Sequence, residues 1–153
     1  MSKASLRRVW RVILLLSLLT PLDSCRQGKP QPVEIVWNED SCVECRMAVS
    51  DHKFGCEVVS ADGTAQAFDD IGCLVLWAGK NGLPEGGAAY VLDFNGGGWI
   101  DAEAASFLLS EKMPTPMSYG IGAFRLETDA AAAAVQWPGR TLNWTGLLEG
   151  FKP

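Results

Sequence analysis

The chain has 153 residues, with 13 Lys and Arg against 18 Asp and Glu, one histidine and a formal charge of −5. Residues 1–24 carry four of the basic and one of the acidic side chains, so the remainder holds 9 against 17 and about −8. A surface this acidic repels phosphate backbones and argues against nucleic acid as a partner, while its long-range field favours cations or basic protein surfaces.

Lys3, Arg7, Arg8 and Arg11 precede the apolar run Val12 to Leu19, which reads as the charged and apolar regions of a secretory signal. A membrane span needs roughly 20 apolar residues, and Pro21 and Asp23 interrupt the run before that length. Leu22-Asp23-Ser24-Cys25 resembles the lipobox of bacterial lipoproteins, with Asp23 unusual in it. The expectation is a signal peptide over 1–24 and a lipidated Cys25 that ties the chain to a bilayer. Residues 25–32, polar and Pro-rich, read as a tether, leaving 33–153 to fold, enough for one domain or two very small ones.

Val33 to Trp37 alternates weakly and predicts a short first strand before the turn at Asn38-Glu39-Asp40-Ser41. The cysteine motif that follows is then on a loop. Phe54 to Ser60 and Thr64 to Phe68 flank Asp62-Gly63, a strong hairpin signal. Asp69 or Asp70 caps a helix with Ile71, Leu74, Val75 and Ala78 on its core stripe, ending near Gly79 or Gly82. Ala88 to Phe94 is a strand and Asn95 to Gly98 a turn. A looser second copy follows. Ser106 to Ser110 and Tyr119 to Glu127 are extended, Thr128-Asp129 caps a helix over Ala130 to Gln136, and Thr141 to Trp144 is a last strand. The fold class is α+β, two small β-β-α-β units over about 33–98 and 99–153.

Cys42-Val43-Glu44-Cys45-Arg46-Met47 is the densest group of soft donors, suited to Cu(I) or zinc rather than magnesium or calcium. Structural zinc normally takes four Cys or His ligands from paired motifs. There is no second such motif, so zinc is the weaker choice. A disulfide or redox pair is the competing reading of Cys42 and Cys45, but a thioredoxin-like motif would run into a long amphipathic helix, and Ala48 to Lys53 does not. Met117 ends the Pro-stiffened segment Met113-Pro114-Thr115-Pro116-Met117 and is a candidate thioether donor. His52 offers an imidazole near the motif, or is a surface histidine at a turn. Cys56 and Cys73 read first as small buried hydrophobes and second as a disulfide, although Cys73 points off the helix stripe and could face the motif. No pairing of nucleophile and base points to an enzyme.

Together, Cys25, Cys42-x-x-Cys45-x-Met47, Phe68-Asp69-Asp70-Ile71-Gly72-Cys73, Trp99-Ile100-Asp101-Ala102 and Thr115-Pro116-Met117-Ser118-Tyr119-Gly120 resemble the NosL family of copper-binding lipoproteins, accessory to nitrous oxide reductase assembly. The resemblance covers nearly all of the chain beyond the leader. It implies a topology related to organomercurial lyase and a chaperone that binds Cu(I) for delivery to a metalloenzyme. Cys45 and Met47 match the family's ligands, Met117 matches a methionine expected to close the site, and Cys42 or His52 would add a further donor. Arg46 stands where the family commonly has glycine. The protein would face the periplasm, and Gln27, which is not the aspartate that retains some lipoproteins at the inner membrane, favours the outer one. The alternative is a thiol-disulfide or thiol-dependent enzyme using Cys42 and Cys45.

Overall fold

The computed structural model describes residues 28–152. The signal segment, Cys25 and the start of the tether lie outside the described residues. Among the described residues seven strands form two antiparallel sheets. The first has the order β2-β1-β3-β4, from β1 (Cys56–Val59), β2 (Ala65–Phe68), β3 (Ala88–Leu92) and β4 (Trp99–Asp101). The second has the order β6-β5-β7, from β5 (Ser106–Leu109), β6 (Ile121–Phe124) and β7 (Arg140–Leu142). Helix α1 (Ile71–Asn81) links β2 to β3, and α2 (Glu127–Gln136) links β6 to β7. In each unit the first strand of the hairpin lies in the middle and pairs with both others. This is the expected β-β-α-β connectivity, made twice.

The β1–β2 hairpin turns where Asp62-Gly63 places it. Gly63 takes φ 86°, and Asp62 Oδ1 accepts from Thr64 N at 2.9 Å. Helix α1 starts at its expected cap, Asp70, whose Oδ1 accepts from Gly72 N at 2.8 Å. Ile71, Leu74, Val75 and Ala78 are all buried. Their partners are the inner face of the first sheet, Cys56, Val58, Ala89, Val91 and Ile100, and residues of the second unit, Phe107, Ile121, Ala123, Trp144 and Leu147. One core therefore runs through both sheets. They also meet through the backbone, where Phe94 N donates to Ala123 O at 2.8 Å.

Several boundaries differ from the sequence reading. Val33 to Trp37 is not a strand. Both edges of β1 are already paired with β2 and β3, so this segment crosses the outer face of the first sheet, and Val33 N donates to the Glu57 carboxylate at 2.7 Å instead of to a ladder. The segment Trp99 to Asp101 forms β4 against β3, so the first sheet continues past a division at 98/99. Helix α2 begins at Glu127, with Leu126 at its cap position and no side-chain cap bond, so Thr128 and Asp129 lie inside its first turn. The last strand ends at Leu142. Asn143 then caps a third helix, α3 (Trp144–Gly150), by accepting from Gly146 N at 2.8 Å, and Trp144 and Leu147 on it bury against the common core. Among the described residues no helix is long and apolar enough to cross a membrane.

Candidate metal centre

The Cys42–Met47 segment is a tight loop closed by its own backbone. Cys42 N donates to Met47 O at 2.8 Å, Arg46 N donates to Cys42 O at 2.9 Å, and Ser41 bridges Ala48 beneath them. Arg46 occupies the left-handed region at φ 68°, a conformation that glycine adopts without strain. The loop hangs on the β2 edge of the first sheet through Val43 N to Ala67 O at 3.0 Å. An ion pair between Glu44 and Lys80 ties it to the last turn of α1.

Two neighbouring aspartates at the start of α1 hold the surrounding loops. Asp69 Oδ1 accepts from Ser50 N at 3.0 Å, just past the cysteine loop. Asp70 uses one oxygen for the helix cap and the other to accept from Met117 N at 3.0 Å. Both carboxylates are buried, and burial raises the pKa of Asp69. Met117 sits in a turn closed by Ser118 N to Thr115 O at 2.9 Å, and Ser118 itself takes φ 58°. The ring of Tyr119 lies on Gly72 so closely that a Cβ there would come within 2.3 Å of it. Glycine at that position is what lets the Met117 segment lie on the helix N-terminus.

These constraints bring three thiols together. The sulfurs of Cys42, Cys45 and Cys73 all lie within 4.8 Å of one another. An ion bound trigonally with bonds of about 2.3 Å needs sulfurs roughly 4 Å apart, so small side-chain adjustments suffice. Cys42 and Cys73 are fully buried and Cys45 is partly accessible. All three, and Cys56, are free thiols. Cys73, expected to pack as a small hydrophobe, belongs to this cluster. The sequence signal was its position off the Ile71-Leu74-Val75-Ala78 stripe. Cys56 does pack in the core, its thiol 3.6 Å from Asp70 O.

The thiols share a proton unevenly. Hydrogen bonding from Cys73 lowers Cys42 to about 5 against the opposing effect of burial, and Cys45 N adds a contact to its sulfur at 3.4 Å. Cys73 is correspondingly raised well above the usual thiol range by that same bond and by burial. Burial also raises Cys45. Of the three thiols, Cys42 is therefore the one whose thiolate form is most favoured, through its bond from Cys73 in the first turn of α1.

The other expected donors are Met47, Met117 and His52. Met47 closes the cysteine loop through its backbone and is 57% exposed. Met117 packs against the core cluster that contains Cys42 and Cys73, and on its outer side it lines a groove of about 720 Å³ with Tyr119, Arg140, Phe151 and Lys152. Met113 is core filler, packed with Phe54, Leu108 and Phe124. His52 is exposed and stacked on Trp37 with ring centroids 3.9 Å apart. Among the described residues it joins no group of metal-ligating side chains.

The model of the NosL family matches residues 32–149. The chain belongs to the NosL family. A solved structure, the crystal structure of the copper chaperone NosL from Shewanella denitrificans, aligns with a TM-score of 0.67 at 18% identity, covering 76% of this chain and 95% of that one. At that identity the likeness shows that this NosL-family chain shares the fold. Curated protein sequences give no match.

Proposed function

We propose that the protein is a periplasmic Cu(I) chaperone, anchored to a membrane through Cys25, that passes copper to an exported metalloenzyme. The observation that carries the copper reading is the cluster of Cys42, Cys45 and Cys73 on a scaffold of the NosL family. Three soft donors match the low coordination number that Cu(I) accepts and fall short of the four ligands of structural zinc. Cys45 is the partly accessible thiol, Met47 two residues on is exposed, and Met117 lines the groove. These two thioethers would receive or release the ion while the buried thiolates hold it. Nitrous oxide reductase is the acceptor favoured by the family resemblance, and the net charge of about −8 suits docking on a basic patch.

The reading as a thiol-disulfide enzyme meets a physical objection. Such an enzyme attacks with an accessible thiol of lowered pKa. Here the lowered thiol, Cys42, is fully buried, and the accessible one, Cys45, is raised.

Competition of the reduced protein for Cu(I) against a chromogenic chelator tests the proposal. One ion withheld per chain is expected, with Cys45→Ala losing most of the affinity. Failure to compete, or parental affinity in Cys45→Ala, overturns it. Transfer from the loaded protein to apo-reductase tests the acceptor separately.

A further inference from the structure

Residues 29–33 do not hang free of the fold. Lys29 Nζ lies 2.6 Å from both Asp101 Oδ2 at the end of β4 and Glu103 Oε2 beside it. The carbonyl of Pro30 accepts from the Tyr90 hydroxyl on β3. Val33 N donates to Glu57 on β1 at 2.7 Å. Tyr90 is paired with Glu57 on one side and with Asp101 on the other, so Glu57, Tyr90 and Asp101 project from one face of the first sheet, and Glu103 follows in the turn just after β4. This shared face is the outer one, opposite the one packed on α1. The chain therefore crosses the sheet stepwise from β4 over β3 to β1, and only then turns into the cysteine loop beside β2.

Charge pairs as exposed as those of Lys29 contribute little singly. The buried bond is different in kind. Glu57 is 1% exposed, and without Val33 N its carboxyl would lose the one hydrogen bond that the described residues give it, an expensive loss for a buried acceptor.

We propose that residues 29–33 form a docking strap that holds the β4 edge of the first sheet against the bilayer and turns the thiol cluster, on the β2 edge, away from it. The proposal rests on lipid anchoring at Cys25 as read above. Cys25 is four residues before Lys29, a span of at most about 14 Å, so the lipid must enter the membrane close to Asp101 and Glu103. Were the chain free up to Val33, eight residues would allow about 28 Å and leave the domain free to tumble. Across the sheet, β2 is three strand spacings from β4, roughly 14 Å. The cysteine loop lies at that far edge, bonded to Ala67. A strapped protein would thus present Cys45 and Met47 to soluble partners and keep lipid off the thiols.

The test uses the mature lipidated protein in phosphatidylethanolamine and phosphatidylglycerol nanodiscs, with a gadolinium chelate on a fraction of the headgroups. Paramagnetic broadening of backbone amide signals is read residue by residue. Broadening at Lys29 and Asp101 to Ala104 should exceed that at Val43 to Met47 at least tenfold. Inserting ten Gly and Ser residues between Gln27 and Gly28 leaves the strap in place but lengthens the free tether, and should erase the preference. Equal broadening at both edges, the strongest effect at Val43 to Met47, or a preference that survives the insertion overturns the strap proposal while anchoring stands. Protein that elutes apart from the nanodiscs on size exclusion, with no broadening anywhere, overturns the anchoring reading and the orientation with it.

Discussion

Asp70 and Met117, 47 positions apart, are joined by a 3.0 Å hydrogen bond from the Met117 backbone to a fully buried carboxylate. The other oxygen of the same group caps α1 three residues before Cys73. One side chain thus fixes the start of the helix that carries a thiol and the loop that carries a thioether.

Asp70→Ala should destabilise the fold by about 2–4 kcal/mol, the sum of a lost cap and a lost charge-assisted bond. The midpoint of urea unfolding should fall accordingly. Copper affinity should fall as well under conditions where the variant is still folded, because the Met117 turn is no longer held against the helix. Unchanged affinity in folded Asp70→Ala would show that the position of Met117 is immaterial to binding.

Cys73→Ser and Cys56→Ser separate the cluster from the core. Both thiols are fully buried, so both changes should cost stability. Only Cys73→Ser should weaken Cu(I) binding, by roughly tenfold or more, about 1.4 kcal/mol. Chelator competition on the two variants decides it, and equal affinities would exclude Cys73 as a ligand.

Glu57 predicts how stability depends on pH. Burial raises its carboxyl to about 7 in the folded protein from 4.5. Between these values the folded state holds a proton that the unfolded chain has released, so the contribution is complete below 4.5 and is lost as the pH rises through 7. The change is about 3 kcal/mol over that window. Glu57→Gln, which keeps an acceptor for Val33 N, should flatten this part of the stability profile in denaturant titrations from pH 4.5 to 8.

Arg46→Gly should stabilise the fold. The residue is held at φ 68°, and removing its Cβ relieves strain of about 1–2 kcal/mol, offset in part by the greater freedom of glycine in the unfolded chain. A gain of up to about 1 kcal/mol is expected. Copper affinity should stay within a few-fold of the parent, since Arg46 is exposed and contributes no donor.

What could be read in the sequence was local. Asp62-Gly63 announces its hairpin and Asp70 its helix because turn and cap chemistry act over two or three residues. The motifs around Cys42, Cys73 and Met117 announced the family for the same reason, as short strings. Missed features depended on distant partners. Val33 to Trp37 has the pattern of a strand, but nothing in it shows that both edges of β1 are taken. Trp144 to Gly150 carries two glycines and reads poorly as a helix, yet Trp144 and Leu147 find a core contributed by residues far upstream. Cys73 looked like packing because its neighbours on the helix are packing. Its role comes from a loop about 30 residues earlier that closes onto the helix start. His52 is next to the motif in sequence, but Trp37 takes its ring.

The common core has a consequence for any damage to the protein. Ile71, Leu74 and Val75 lie under the thiol-bearing end of α1 and belong to the same packed cluster as Phe107, Trp144 and Leu147 of the second unit. Close-packed interiors transmit a lost volume to their neighbours. The shared core predicts that the two copies of this topology unfold together, neither half melting alone. A lesion in the final helix, at Trp144 or Leu147, is expected to reach the thiol-bearing end through the interior, although it lies about seventy residues farther along the chain.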